Sequence, residues 1–156
     1  MYILRLGGKL AGLVAVLLVV LWLLLLRCSP GMNDWIYDEL PNEYEIVHIN
    51  SIEINLLKRD GESTRIRVDQ HITKFCSNDV YIGIERLPVD DSITNASECI
   101  EKMNNSTPEY FLVDTVNDVV MGPYTAEAYE KQVKDLGIEG LGDWIATVPR
   151  PEGAYS

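Results

Sequence analysis

The chain has 156 residues and a formal net charge of −11 at neutral pH, with 24 acidic side chains against 13 lysines and arginines. This length predicts one domain, and the acidity predicts repulsion from phosphate backbones and from anionic lipid surfaces. Nucleic-acid binding is therefore excluded from the functions that we expect, whereas a cationic partner is compatible with the charge.

An uninterrupted apolar run, Leu10–Leu26, lies near the start of the chain. As a helix that rises about 1.5 Å per residue it would measure roughly 25 Å, close to the roughly 30 Å core of a bilayer. We therefore predict a transmembrane helix within an N-terminal membrane anchor, residues 1–28. Arg5 and Lys9 precede the run and Arg27 follows it. The positive-inside rule then favours a cytoplasmic N-terminus. The predicted location is the cell membrane, single-pass or lipid-anchored, with the domain extracytoplasmic.

The fate of this anchor stays open between three alternatives. A retained signal anchor requires no particular residues after the apolar run. A lipoprotein-like signal would carry a lipid on Cys28, for which Leu25 suits the position three residues earlier, but Arg27 stands where a small residue is expected. Simple cleavage usually follows a small-x-small pattern, which this region lacks.

The chain after the anchor is predicted to contain a linker and first loop, residues 29–42, and then a β-rich extracytoplasmic domain, residues 43–138. Apolar residues in this domain recur with a period of two, which is typical of strands with one buried face. The alternating sets are Ile52, Ile54, Leu56; Thr64, Ile66, Val68; and Val80, Ile82, Ile84. The Asp60-Gly61 pair predicts a hairpin, and the short connections favour an antiparallel meander.

The second half of the domain begins with the polar stretch Leu87–Pro108, which is either a long surface loop or a loop with a short helix near Ser97–Met103. Two further apolar segments after it predict another strand pair. Thr125 is then a suitable N-cap for one C-terminal helix, which Gly137 would close. Residues 139–156 are predicted to be an irregular tail. The predicted fold class is α+β, with a single transmembrane helix, a small antiparallel β-meander domain and one C-terminal helix.

Three segments of this domain carry a resemblance. They are Glu39–Ile46 (ELPNEYEI), Cys76–Glu85 (CSNDVYIGIE), and the closing strand, Gly-Pro turn, helix and Leu-Gly-Ile that end at Ile138. With these segments, the chain resembles a family of small, functionally uncharacterised bacterial envelope lipoproteins from about Leu40 onward. The resemblance implies a bacterial source and an envelope location, and it implies no activity.

Two cysteines lie within the domain, Cys76 and Cys99. In an oxidising compartment they could form a disulfide worth roughly 3 kcal/mol, and the alternative is two independent buried thiols. The chain has no C-x-x-C motif and no Cys/His cluster, so we expect neither a metal nor a cofactor.

Asp69 and His71 are a weak candidate site. At positions i and i+2 of a strand their side chains would share one sheet face, where the carboxylate could orient the imidazole. No nucleophile motif accompanies them, so we expect that the protein is not an enzyme. The expected function is a membrane-tethered extracytoplasmic accessory or binding protein. The alternatives are a small envelope hydrolase using Asp69 and His71, and a structural envelope lipoprotein.

The predicted partners follow from the same features. The membrane would be contacted through Leu10–Leu26, and an envelope protein or another cationic partner would be contacted by the acidic domain.

Overall fold

The computed structural model describes residues 34–50, 53–90, 93, 95–148, 152 and 154. These residues form nine strands, two helices and a short 3-10 turn at Pro41–Glu43. The strands are β1 (Trp35–Tyr37), β2 (Tyr44–His48), β3 (Ile54–Asp60), β4 (Ser63–Val68), β5 (Ile72–Ser77), β6 (Tyr81–Arg86), β7 (Glu109–Asp114), β8 (Val119–Tyr124) and β9 (Ile145–Ala146). The helices are α1 (Ala96–Asn105) and α2 (Ala126–Asp135).

The strands form two antiparallel sheets. Sheet A has the order β1-β2-β3-β4, and sheet B has the order β8-β7-β6-β5-β9. Tight turns join most neighbours in sequence, and the predicted β3–β4 hairpin is confirmed, with Gly61 at φ +63° between the strands. Glycine adopts this left-handed conformation without the steric cost that a Cβ atom imposes.

The chain leaves sheet A at a turn between β4 and β5. Gln70 and His71 have φ values of 46° and 57°, so neither is extended. The backbone amide of Gln70 donates a hydrogen bond of 2.6 Å to the Asn55 side chain, which holds the turn against β3. The chain therefore does not continue as one meander but starts a second sheet with Ile72.

The predicted fold class is wrong for this reason. Instead of one meander with one helix, the described residues form a mostly β domain of two antiparallel sheets with two helices. The predicted transmembrane helix is also not found: neither helix in the described part of the chain has the length and apolar character needed to cross a membrane. The apolar run Leu10–Leu26 lies outside the described residues.

The two sheets share one hydrophobic core. Its fully buried side chains come from both sheets, with Tyr44, Ile46 and Leu56 from sheet A and Phe75 and Ile84 among those from sheet B. Burying side chains of this size contributes about 1.5–3 kcal/mol each before the entropy cost of ordering them, so this core is the main source of stability.

A second cluster lies where α2 covers the other face of sheet B, and it contains Cys76, Leu112, Tyr129 and Leu141. The middle of sheet B is consequently buried on both faces. The candidate functional site lies on this second face of sheet B.

The predicted helix near the end of the chain is confirmed as α2. The Thr125 hydroxyl accepts a hydrogen bond from the amide of Ala128 at 3.3 Å, as expected of an N-cap. Gly137 has φ +67°, and the amide of Ile138 donates to the carbonyl of Val133 at 3.0 Å. These features are typical of a helix that ends at a left-handed glycine.

Three other segments, which were expected to be loop, linker or tail, contain regular secondary structure. For the polar stretch, the sequence left a short helix open as an alternative. The polar stretch contains a helix, α1, whose N-cap Asn95 accepts hydrogen bonds from the amides of Ser97 and Glu98. Residues assigned to the linker form β1, which pairs with β2. Residues assigned to the irregular tail form β9, which pairs with β5.

Candidate functional site

A row of directly paired residues crosses the outer face of sheet B. Ala146 on β9 is opposite Lys74 on β5, Lys74 is opposite Glu85 on β6, and Glu85 is opposite Tyr110 on β7. Since directly opposite side chains of a sheet point to the same face, this register brings a cation, a carboxylate and a phenol together.

Helix α2 and the segment before β9 complete a pocket over this row. Ala126, Tyr129 and Glu130 fall at positions i, i+3 and i+4, so they share one face of α2, while Trp144 directly precedes β9. The pocket has a volume of about 460 Å³. It is lined by Lys74, Glu85, Tyr110, Ala126, Tyr129, Glu130, Trp144 and Ala146, and we call it the aromatic pocket.

Three aromatic rings in this pocket contact one another. The ring centroids of Tyr110 and Tyr129 are 5.5 Å apart, and the Trp144 ring lies 5.9 Å from Tyr129 and 6.2 Å from Tyr110. The Trp144 ring is nearly perpendicular to Tyr110, at 75°. Tilted and edge-to-face arrangements at these separations are the favourable ones for aromatic pairs. Tyr129 is buried, whereas Trp144 is 40% exposed and therefore accessible to a ligand.

The Glu85 carboxylate interacts with both of its neighbours in the row, Lys74 and Tyr110. Its carboxylate accepts hydrogen bonds from the Thr73 hydroxyl at 2.8 Å and from the Tyr110 hydroxyl at 3.1 Å, and the Lys74 ammonium lies 3.0 Å from both oxygens. Burial opposes ionisation of Glu85, but these three donors outweigh it and hold the pKa of the carboxyl below its usual value. Glu85 is therefore ionised at neutral pH.

Both carboxylates of the pocket act on the pKa of the Tyr110 hydroxyl. Burial raises the pKa of Tyr110, and the negative charges of Glu85 and Glu130 raise it further. Burial also raises the pKa of Tyr129, and the neighbouring Cys76 thiol raises it further. Both phenols remain neutral at physiological pH, so neither serves as a ready base.

The sequence candidates Asp69 and His71 lie elsewhere. They border a small polar recess of about 170 Å³ that also includes Arg86. Asp69 is exposed and its backbone carbonyl accepts a hydrogen bond from Arg86, whereas His71 is 4% exposed and its Nε2 atom lies 3.7 Å from the Cys99 Sγ atom. The predicted strand geometry for Asp69 and His71 is wrong, because the backbone turns at Gln70.

The two domain cysteines are free thiols in different surroundings. Cys76 belongs to the cluster beneath α2, while Cys99 on α1 faces His71. Burial raises the pKa of Cys76 to about 11, and it also raises the pKa of Cys99, so both thiols are poor nucleophiles. The third candidate, Cys28, lies outside the described residues. No group of three or more potential ligands that could hold a metal occurs among the described residues.

The chain matches the model of the family described as "Protein of unknown function (DUF3997)" over residues 41–141. The chain belongs to this family. The match covers nearly the same stretch as the resemblance to envelope lipoproteins. It confirms that the family is uncharacterised, and it does not show that the family consists of envelope lipoproteins. The comparisons with curated proteins and with solved structures each gave no match.

The matched stretch contains most of the aromatic pocket, although Trp144 and Ala146 lie just beyond it. Sequence reasoning did not find this pocket, because its parts come from β5, β6, β7, α2 and the tail. A local signal existed only for α2, where the helical period places Tyr129 on the buried face. The role of Trp144 depends on β9, and two paired residues are too short a strand to recognise from sequence.

Proposed function

We propose that this chain is a non-catalytic accessory protein that binds a partner in the aromatic pocket. The pocket carries the proposal: its volume of about 460 Å³ falls within the range of roughly 300–1,000 Å³ that is usual for ligand sites. Tryptophan and tyrosine are the side chains that most often dominate binding energy, and Trp144 is 40% exposed.

A catalytic role receives no comparable support. The phenols of Tyr110 and Tyr129 have raised pKa values, and Glu85 is ionised and already accepts three donors. At the other recess, Asp69 is exposed while His71 is buried against a thiol of raised pKa, so the hydrolase alternative gains no favourable geometry.

The proposal includes an extracytoplasmic location at a cell membrane. It is supported by the apolar run Leu10–Leu26, by the basic residues before it, and by the resemblance to bacterial envelope lipoproteins. Intact-mass analysis of the protein from isolated membranes tests this part, because it distinguishes a retained segment, a truncated chain and a lipid on Cys28. Recovery of the full-length, unprocessed chain from the soluble cytoplasmic fraction would contradict it.

Cross-linking in the producing cells tests the binding part. The full chain, its Trp144→Ala variant and its Ile66→Ala variant are each captured after cross-linking, and the captured proteins are compared. Ile66 is a matched control, because it is a large exposed apolar residue, 58% exposed, that does not line the pocket. We expect the original chain and Ile66→Ala to capture the same partner and Trp144→Ala to lose it. Capture that is unaffected by Trp144→Ala, or no capture above background, would overturn the proposal.

A further inference from the structure

The charges that line the aromatic pocket do not cancel. Lys74 is neutralised by Glu85, which holds its ammonium group at 3.0 Å. Glu130 is exposed, and no ion pair within the described part of the chain engages it, although Lys134 lies one turn further along α2. The pocket therefore presents one uncompensated carboxylate beside its aromatic rings.

An uncompensated carboxylate favours a positively charged ligand, and the aromatic rings favour one as well. The face of a tyrosine or tryptophan ring is electronegative and attracts a cation within about 6 Å of the ring centroid, by about 0.5–1 kcal/mol at an exposed site. Trp144, the best ring type for this interaction, is the most exposed of the three. A carboxylate next to aromatic faces combines two attractions for one positive group.

The N-terminus of α2, by contrast, disfavours a positively charged ligand. A helix N-terminus carries a partial positive charge, and Ala126, the first residue of α2, lines the pocket. The full negative charge of Glu130, which lines the pocket, exceeds the partial positive charge of about one half that a helix N-terminus carries. The net charge of −11 on the whole chain adds a long-range attraction for cations.

We infer that the aromatic pocket takes an alkylammonium group, presented by a lysine side chain of the partner. This inference rests on the proposed binding function of the same pocket. The ammonium group would lie against Glu130, and the aliphatic part of the side chain would pack on Trp144 and Tyr110. A single side chain of this kind binds weakly by itself, so its effect is measured with small matched probes at millimolar concentration.

The probes are the Nα-acetyl N-methylamides of lysine, norleucine and glutamate, which differ in charge while norleucine keeps the aliphatic length of lysine. They are titrated into the full chain in detergent or nanodiscs, and indole and amide NMR signals of Trp144 and α2 report binding. We expect saturable shifts with the lysine probe, at least threefold weaker binding of norleucine, and no binding of glutamate. Added salt should weaken only the lysine probe.

Two substitutions on α2, each of which removes one negative charge, show where the lysine probe binds. Glu130→Gln should weaken the lysine probe by about threefold to tenfold and leave the norleucine probe unchanged. Glu127→Gln, one turn earlier on α2 and outside the pocket lining, should bind the lysine probe nearly as well as the original chain. Both residues are exposed, so neither change is expected to unfold the domain.

The outcomes separate this inference from the proposed function. Equal binding of lysine and norleucine probes, tighter binding of glutamate, or equal effects of Glu127→Gln and Glu130→Gln would overturn the cationic ligand, and so would the absence of any probe binding. In each of these cases, capture of a partner that depends on Trp144 would still support the binding function. Loss of that dependence would instead overturn the proposed function itself.

Discussion

At the scale of single residues, Glu85 shows how a largely buried carboxylate stays charged in this domain. Glu85 is 12% exposed and yet ionised, because Thr73, Lys74 and Tyr110 supply donors that replace water. A buried charge without such donors would cost several kcal/mol. The same residue therefore stabilises the sheet and sets the polarity of the aromatic pocket.

The two domain thiols allow a prediction at this scale. In the Cys28→Ser variant of the full chain, we expect Cys76 and Cys99 to react with a thiol reagent at pH 8 at least 100-fold more slowly in the folded protein than in denaturant. Both are about 1–2% exposed, and burial raises both pKa values, so reaction requires opening of the structure.

The number of thiols that react in denaturant checks the same feature. Without reductant, two thiols per chain should react once the protein is unfolded, since both cysteines are free. A count of zero would mean that Cys76 and Cys99 are bonded to each other. Fast reaction of either residue in the folded protein would contradict its burial.

At the scale of elements, α2 depends on a glycine in the sheet below it. A Cβ atom at Gly83 would lie 2.7 Å from the Cys76 Sγ atom and 2.9 Å from Leu141, and closer still to the Tyr129 hydroxyl. Glycine within a strand often marks a place where another element approaches closely. Here the missing side chain lets Tyr129 reach the sheet, which in turn places its ring in the aromatic pocket.

We therefore predict that Gly83→Ala lowers the free energy of unfolding by about 1–3 kcal/mol, the usual cost of overpacking. Gly140→Ala is the matched control, because a Cβ atom there meets nothing within 4 Å, and we expect a change within about 0.5 kcal/mol. Urea unfolding followed by circular dichroism measures both. Equal stability of the two variants would show that α2 does not approach the sheet as described.

The elements also show how far sequence reasoning extends. Helix α2 could be predicted from local chemistry, because Thr125, Gly137 and the apolar period each act within a few residues. The division into two sheets could not, because it depends on the left-handed Gln70 and His71, residue types that give no turn signal comparable to glycine or proline. The aromatic pocket could not be predicted either, because its lining residues come from distant parts of the chain, including the two-residue strand β9.

At the scale of the whole molecule, Asp118 links the two sheets. It lies in the β7–β8 turn of sheet B, and its carboxylate accepts a hydrogen bond from Tyr44 of sheet A. Arg67 and Lys58 of sheet A lie 3.2 Å and 3.5 Å from the same oxygen atom, and Arg67 also donates to the Asp118 carbonyl at 2.8 Å. In the same β7–β8 turn, the Thr115 hydroxyl accepts a hydrogen bond from the Asn42 side chain at 2.8 Å.

Three of the four basic residues on β3 and β4 pair with this carboxylate. Lys58, Arg65 and Arg67 lie 3.2–3.5 Å from Asp118, whereas Arg59 pairs with Glu45 inside sheet A. The attraction to Asp118 therefore acts between the two sheets and adds to the shared core. Burial raises the pKa of Tyr44 to about 12, with a further contribution from Asp118, so the phenol stays a donor.

We predict that Asp118→Asn lowers the free energy of unfolding by about 1.5–3 kcal/mol at pH 7, the usual worth of hydrogen bonds to a charged group. Asparagine keeps the shape and tolerates the left-handed backbone of this position, φ 55°, so the substitution removes mainly the charge. Asp60→Asn is the control: Asp60 pairs with Arg65 at 3.1 Å but is 64% exposed, and we expect a loss below about 0.5 kcal/mol.

The pH dependence of this difference provides a second check. The hydrogen bond from Tyr44 and the neighbouring cations hold the pKa of Asp118 below its ordinary value of 3.8. A carboxyl with a lowered folded-state pKa adds stability that is complete above the unfolded-state pKa and is lost as pH falls through the folded-state pKa. Urea unfolding should therefore give a constant gap between the original chain and Asp118→Asn from pH 7 to pH 5, and a shrinking gap below about pH 4. A gap that stays constant into this acidic range, or one no larger than that of Asp60→Asn, would mean that the two sheets are held together without the charge of Asp118.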